Sequence, residues 1–261
     1  VEDDQIEKSM NEIASTAIRN SPSEGAVRRP ILVALLGSRM ILFLVFQAVI
    51  ALAVSSWHNS EAYWLLTATL TNCVSIMILW YLFRREGRSY SDLFRFSRGS
   101  LRKDILIFAG LVLLCGPVVF GPNYLLGIAF WGDHTIPFGL MFRPIDRFLA
   151  IVLLFVFPVT IVFAELATYF GYIMPALAGI VRPKWLSVAL PVLFLSLQHM
   201  TLPFIPDVRF IFYRGLVFLP FAALIGIALY RRPSLFPYFA IMHGLMDMGT
   251  AIMFLGMWQG F

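Results

Sequence analysis

Glu165, His199, His243 and Asp247 are ionisable side chains set in the interior of long apolar stretches of the chain. A charge inside hydrocarbon costs several kcal/mol unless it is paired or hydrated, so each is a functional candidate by default. A carboxylate beside an imidazole can take a proton from water, and a second imidazole with a polar neighbour can stabilise an oxyanion, a combination that suits a hydrolase. His243 and Asp247 are spaced i, i+4, which puts them on one face of a helix. Glu165, His199 and His243 also offer one carboxylate and two imidazoles, an acceptable zinc shell, although no HExxH spacing supports it. The bland alternative is a structural cluster that ties helices together through polar contacts.

The elements that must carry these residues follow from composition. The 261 residues are 59% apolar and 13% charged, with a mean hydropathy of +0.81. A soluble domain carries about 25% charged residues, so a soluble globular enzyme is excluded, as are disordered and collagen-like chains. The pattern predicts an all-α, polytopic membrane protein with seven spans, at about 31–56, 62–83, 105–130, 148–174, 185–205, 212–229 and 235–258. The apolar runs are long and unbroken, unlike the short alternating segments of a barrel. Residues 1–30 form a polar tail, in which Ile6, Met10, Ile13 and Ile18 recur at the spacing of a short interfacial helix; residues 31–261 form the transmembrane domain. Pro117 and Pro122 are expected to kink or break the third span. At about 1.5 Å per residue, His199 lies about 22 Å along its helix from Lys184 and His243 about 16 Å from Arg232, so with Glu165 they can share one depth.

Basic residues orient the chain. Residues 84–104 hold seven bases and three acids, whereas 31–83 hold only Arg39 and Glu61. Alternating the spans places fifteen bases on the side of the N-terminus and four, Arg143, Arg147, Arg209 and Arg214, on the other. That asymmetry predicts a cytoplasmic N-terminus and contact with an anionic inner leaflet. No basic stripe with interleaved aromatics points to nucleic acid. Arg39 is expected to snorkel to the inner headgroups, and Tyr90 to Lys103 to lie as a helix on the inner leaflet. Cys73 and Cys115, both within apolar runs, are expected to be small buried hydrophobes rather than a disulfide framework. Gln198 is placed to hydrogen-bond across helices, and Tyr169 and Tyr172 lie one and two turns beyond Glu165.

Three segments then fall into a familiar order. Glu165-Leu166-Ala167-Thr168-Tyr169-Phe170-Gly171 continues to Pro175, Leu195-Ser196-Leu197-Gln198-His199 follows, and His243 precedes Asp247 by four. Over about residues 148–250 the chain resembles the CPBP family of CaaX and bacteriocin-processing proteases, also called Abi, a family of glutamic intramembrane proteases. Its motifs read EExxxR, FxxxH and H followed four residues later by Asn or Asp. Here Leu166, Phe170 and Leu195 depart from the second glutamate, the arginine and the phenylalanine. The resemblance implies that Glu165 and His199 activate a water while His243 and the residue at 247 stabilise the oxyanion, with no metal or other cofactor. It implies a membrane-associated peptide or protein substrate and a bacterial cell membrane. An ionised Asp247 cannot donate to an oxyanion, so we read it as orienting His243. The departures leave a second expectation, a catalytically silent relative acting as an immunity factor or scaffold, and a proton-coupled transporter is the third.

Overall fold

The computed structural model describes residues 22–256, with side chains from residue 29 onward. Among these residues there is helix and no strand. The helices are α1 (Pro22–Ala53), α2 (Trp57–Ser60), α3 (Trp64–Arg85), α4 (Leu101–Trp131), α5 (Ile136–Met141), α6 (Arg147–Leu166), α7 (Met174–Ala178), α8 (Leu186–Leu197), α9 (Val208–Val217), α10 (Leu219–Arg231) and α11 (Phe236–Gly256). Six stretches are long and apolar enough to cross a membrane, namely Arg29–Ala53, Trp57–Arg85, Leu101–Trp131, Arg147–Ala178, Val208–Arg231 and Pro233–Gly256. The chain is an all-α, multi-pass integral membrane protein.

Several sequence expectations are corrected. The predicted fifth span is a shorter apolar helix, Leu186–Thr201, which tightens into a 3-10 turn over Gln198–Thr201. Pro117 and Pro122 do not break α4, which runs on for 31 residues; only 6% of its apolar window is covered by protein, so its neighbours are mainly lipid. Tyr90 to Lys103 is not one surface helix. It is a short 3-10 turn at Tyr90–Phe94, then irregular chain to Ser100 and the first turn of α4, and Phe94 packs its ring against Phe163 and Phe236. Cys115 is buried, whereas Cys73, expected buried, is exposed on α3. The interfacial helix expected over Ile6 to Ile18 lies outside the described residues.

The two ends of the bundle are pinned by polar contacts. At the arginine-rich end, Tyr172 donates to Glu86 at 2.9 Å, and fully buried Asp104 of α4 accepts from Arg232, from Ser234 at 3.0 Å and from Ser100 at 2.5 Å. At the opposite end Arg143 pairs with Glu61 at 2.9 Å, and Trp64 donates its indole N–H to Met141 at 3.1 Å.

Between the ends the apolar core is divided. One cluster, toward the arginine-rich end, includes Leu36, Leu79, Phe83, Leu166, Phe170, Leu195 and Ala240. The other, toward the opposite end, includes Phe43, Ala68, Phe157, Ile161, Leu202, Phe210 and Ala251. On every core helix the change from one cluster to the other is made at a polar residue: Arg39 on α1, Asn72 and Ser75 on α3, Glu165 on α6, Gln198 after α8, and His243 and Asp247 on α11.

The Asp104 clamp is the main polar tie of the lipid-exposed α4. Asp104→Ala should lower stability in detergent by about 1 to 3 kcal/mol, the cost of removing a buried carboxylate that accepts from three half-buried donors. Asp92→Ala, which removes an exposed pair with Arg95, should cost less than about 1 kcal/mol in the same thermal titration.

Candidate functional site

Arg39 is the hub of the polar layer. It is fully buried, and its Nε donates to Gln198 Oε1 at 2.8 Å, one terminal nitrogen to Ser75 Oγ at 3.1 Å, and the other to Asn72 Oδ1 at 3.0 Å and Glu165 Oε2 at 3.5 Å. The guanidinium also lies over the Phe43 ring at 5.3 Å. Arg39 therefore does not snorkel to the headgroups. At about 1.5 Å per residue it stands about 15 Å along the helix from Arg29, too deep for its side chain to reach water, so buried acceptors on three other helices serve it.

Glu165 is 3% exposed, and its two oxygens face different partners. Oε2 accepts from Gln198 Nε2 at 2.8 Å and from Arg39. Oε1 faces His243 Nε2 at 3.5 Å. His243 Nε2 also approaches Asp247 Oδ2 at 3.0 Å, the i, i+4 neighbour expected from the sequence. That approach is close but not aligned as a hydrogen bond, and among the described residues Asp247 Oδ2 and His243 Nδ1 are buried without a hydrogen-bond partner. Gln198 has both ends of its amide in use, as the expectation of a cross-helix bond required; its Oε1 also accepts from Tyr169 at 3.4 Å.

Backbone features set this geometry. The turn after Glu165, Ala167–Ile173, is a π-helix. Such segments are rare and often occur at functional sites. It carries the Gly171 motif segment, and it buries Phe170 against Gly226 and Val192. Gly244 brings α11 close to α6. A Cβ there would meet Val162 Cγ2 at 2.4 Å and the Pro158 carbonyl at 3.0 Å. Without that approach the neighbouring His243 could not face Glu165.

His199 stands apart from the group. Its Nδ1 is bonded to the Leu195 carbonyl at 2.9 Å, and its ring stacks on Phe218 with centroids 3.7 Å apart. Neither of its nitrogens lies within 4 Å of a carboxylate oxygen among the described residues, in contrast to His243. Arg214, expected on the outer flank, is instead buried behind Phe218, its guanidinium 4.8 Å over that ring and donating to the Leu202 carbonyl at 2.6 Å. The structure thus brings Glu165, His243 and Asp247 together and holds His199 beside them through Gln198. Among the described residues no three His, Cys, Asp or Glu side chains are arranged to hold a metal ion, so the Glu165, His199, His243 zinc shell is not assembled. Tyr169 and Tyr172 are engaged in packing and in hydrogen bonds to Leu36, Gln198 and Glu86.

In comparisons with known proteins, no family model, no curated protein and no solved structure matches the chain.

Two stability measurements probe the site. Arg39→Met should destabilise the protein by about 3 to 5 kcal/mol, because it leaves Glu165 buried and uncompensated. Adding Glu165→Leu should recover most of that loss; a double variant no more stable than Arg39→Met would show that the pair is not the source. Gly244→Ala should cost about 1 to 3 kcal/mol by overpacking against Val162 and Pro158.

Proposed function

We propose that the chain is an intramembrane endopeptidase of the CPBP type, with Glu165 as general base. The observation that supports this most is the asymmetry of the Glu165 carboxylate. Oε2 is fixed by Arg39 and Gln198, while Oε1 faces the side occupied by His243 and Asp247. His243 Nε2 lies between two carboxylate oxygens, so it carries its hydrogen there and is a donor. A donor at that point suits a developing oxyanion, and in this reading Asp247 orients the ring.

In this reading a water at Oε1 gives its proton to Glu165 as its oxygen attacks the scissile carbonyl carbon. The oxyanion accepts from His243 Nε2. The proton then passes to the peptide nitrogen as the C–N bond breaks, releasing a carboxyl terminus and an amine. His199, whose Nε2 makes no hydrogen bond among the described residues, assists that transfer from the adjoining turn. The substrate is a membrane-associated peptide or protein, met in the bilayer. The arginine-rich end is cytoplasmic, with the N-terminus on the same side.

One observation favours a second reading, a catalytically silent scaffold or immunity protein. Glu165 is ion-paired to a buried arginine and almost wholly enclosed, an arrangement that also serves purely to lock helices together.

Glu165→Gln keeps the shape of the side chain and removes the base. Peptide ends generated in membranes bearing the wild-type chain should fall by about 10² to 10⁴-fold in the variant. Identical peptide profiles for wild type and a properly inserted Glu165→Gln would sink the protease reading in favour of the scaffold. If Asp247 orients His243, Asp247→Asn should lose most of the activity in a folded protein, and activity should survive a strong chelator in every active variant.

A further inference from the structure

The turn Tyr90–Phe94, between α3 and α4, belongs to none of the membrane-crossing stretches. Three of its five side chains nevertheless reach α6 or the π-turn that follows it. Tyr90 donates its hydroxyl to the Phe163 carbonyl, two residues before Glu165. Leu93 lies over Gly171, where an added Cβ would stand 2.8 Å from Leu93 Cδ1. Phe94 holds its ring 4.8 Å from that of Phe163 and 5.6 Å from that of Phe236 at the start of α11. The turn therefore grips the π-helix Ala167–Ile173 just before its entry and again in its middle.

The Tyr90 contact falls where the backbone ladder changes pitch. In a regular α-helix the Phe163 carbonyl would accept from the Ala167 N–H. Here that N–H is directed at the Ala164 carbonyl instead, and the wider i→i+5 pattern begins at Ala167. Phe163 stands at the middle of the membrane-crossing stretch Arg147–Ala178, where hydrocarbon rather than water surrounds an underserved carbonyl. The turn folds back from the arginine-rich end to supply the donor. The Tyr90 ring is itself held between Phe83 and Phe94, each with centroids 5.5 Å away.

We propose that Tyr90 is a positioning residue for Glu165: its hydroxyl takes the place of the Ala167 N–H at Phe163, fixes where the helix widens, and so fixes the direction of the carboxylate. Glu165 lies two residues past the bonded carbonyl and two before the π-helix. Were Phe163 to reclaim the Ala167 N–H, the widening would start later, and the peptide planes on either side of Glu165 would turn with it. The carboxylate would then leave the line on which it meets Gln198 and Arg39. The effect on rate rests on the proposed role of Glu165 as base; the positioning itself does not.

The test uses the full chain in phosphatidylcholine bilayers and solid-state NMR, with carbonyl-labelled Phe, carboxyl-labelled Glu and nitrogen-labelled Ala. Four Phe–Ala peptide units occur, at Phe108, Phe163, Phe221 and Phe239. The Phe163 signal is identified by its loss in Phe163→Leu, and the Glu165 carboxylate by its loss in Glu165→Gln. Tyr90→Phe keeps the ring and removes the donor. It should move the Phe163 and Glu165 signals and leave the other three Phe–Ala signals in place. Ser91→Ala, in the same turn but with its hydroxyl paired to Ser89, should move neither. In membranes, peptide ends that depend on Glu165 should appear about ten- to a hundredfold more slowly in Tyr90→Phe at equal protein level. An unmoved Glu165 or Phe163 signal in Tyr90→Phe overturns the proposal. So does an equal shift in Ser91→Ala, or a full rate in Tyr90→Phe where Glu165→Gln abolishes it. Should wild type and Glu165→Gln give the same peptide ends, the hydrolysis reading falls, and the two signals alone decide whether Tyr90 positions the carboxylate.

Discussion

A guanidinium and a carboxylate enclosed by hydrocarbon can persist only if other helices supply the hydrogen bonds that water would have made. Each ion loses several kcal/mol of hydration on burial, and Coulomb attraction repays that only when the remaining donors and acceptors are also met. Arg39 and Glu165 meet the condition by drawing on Gln198, Asn72 and Ser75. This fixes the axial register of α1, α3, α6 and α8, because sliding any of them by one turn, about 5.4 Å, would strand a donor or an acceptor. The apolar clusters on either side of the layer contribute close packing but little directional information. The polar belt is what specifies how the helices align.

On α6 the backbone departs from a regular helix around the belt. Pro158 forgoes a backbone N–H, its carbonyl sits against Gly244, and the helix widens into a π-turn just after Glu165. A regular helix would rotate later residues by a different amount relative to the carboxylate, so the π-turn lets Glu165 face the Arg39 clamp while Tyr169 and Phe170 still pack inward. The side chain is then shared between a saturated face, toward α1 and α8, and a sparsely bonded face, toward α11. A purely structural ion pair needs only the first of these.

Much of this was legible in the sequence, and the failures have physical causes. The apolar runs carry the helical, multi-pass architecture, and the ionisable residues inside them mark α6, the end of α8 and α11 as the helices that contribute to the polar belt. The i, i+4 spacing was enough to pair His243 with Asp247, since it depends only on local helix geometry. Arg39 does not reach the headgroups because about 15 Å of helix exceeds the length of its side chain, and that depth is itself readable in the sequence. Asn72 and Ser75 carry no such mark, because small polar residues in a span cost little until a partner is known. His199 faces Phe218 rather than Glu165 where the 3-10 turn over Gln198–Thr201 replaces the regular helix, and a periodicity carried through a turn of different pitch misassigns the face.

That rotation bears on how labour is divided if the site reacts. With both acids ionised, an imidazole whose Nε2 faces two carboxylate oxygens presents a hydrogen to them, and in that state His243 is unsuited to abstract a proton through that atom. His199 binds its own helix through Nδ1, and its Nε2 makes no hydrogen bond among the described residues. The two histidines are thus made distinct by what surrounds them, one against the carboxylates of Glu165 and Asp247 and one stacked on Phe218. Glu165, Gln198 and His243 can share one level only if three helices agree on depth, and the Arg39 clamp is the interaction that makes them agree.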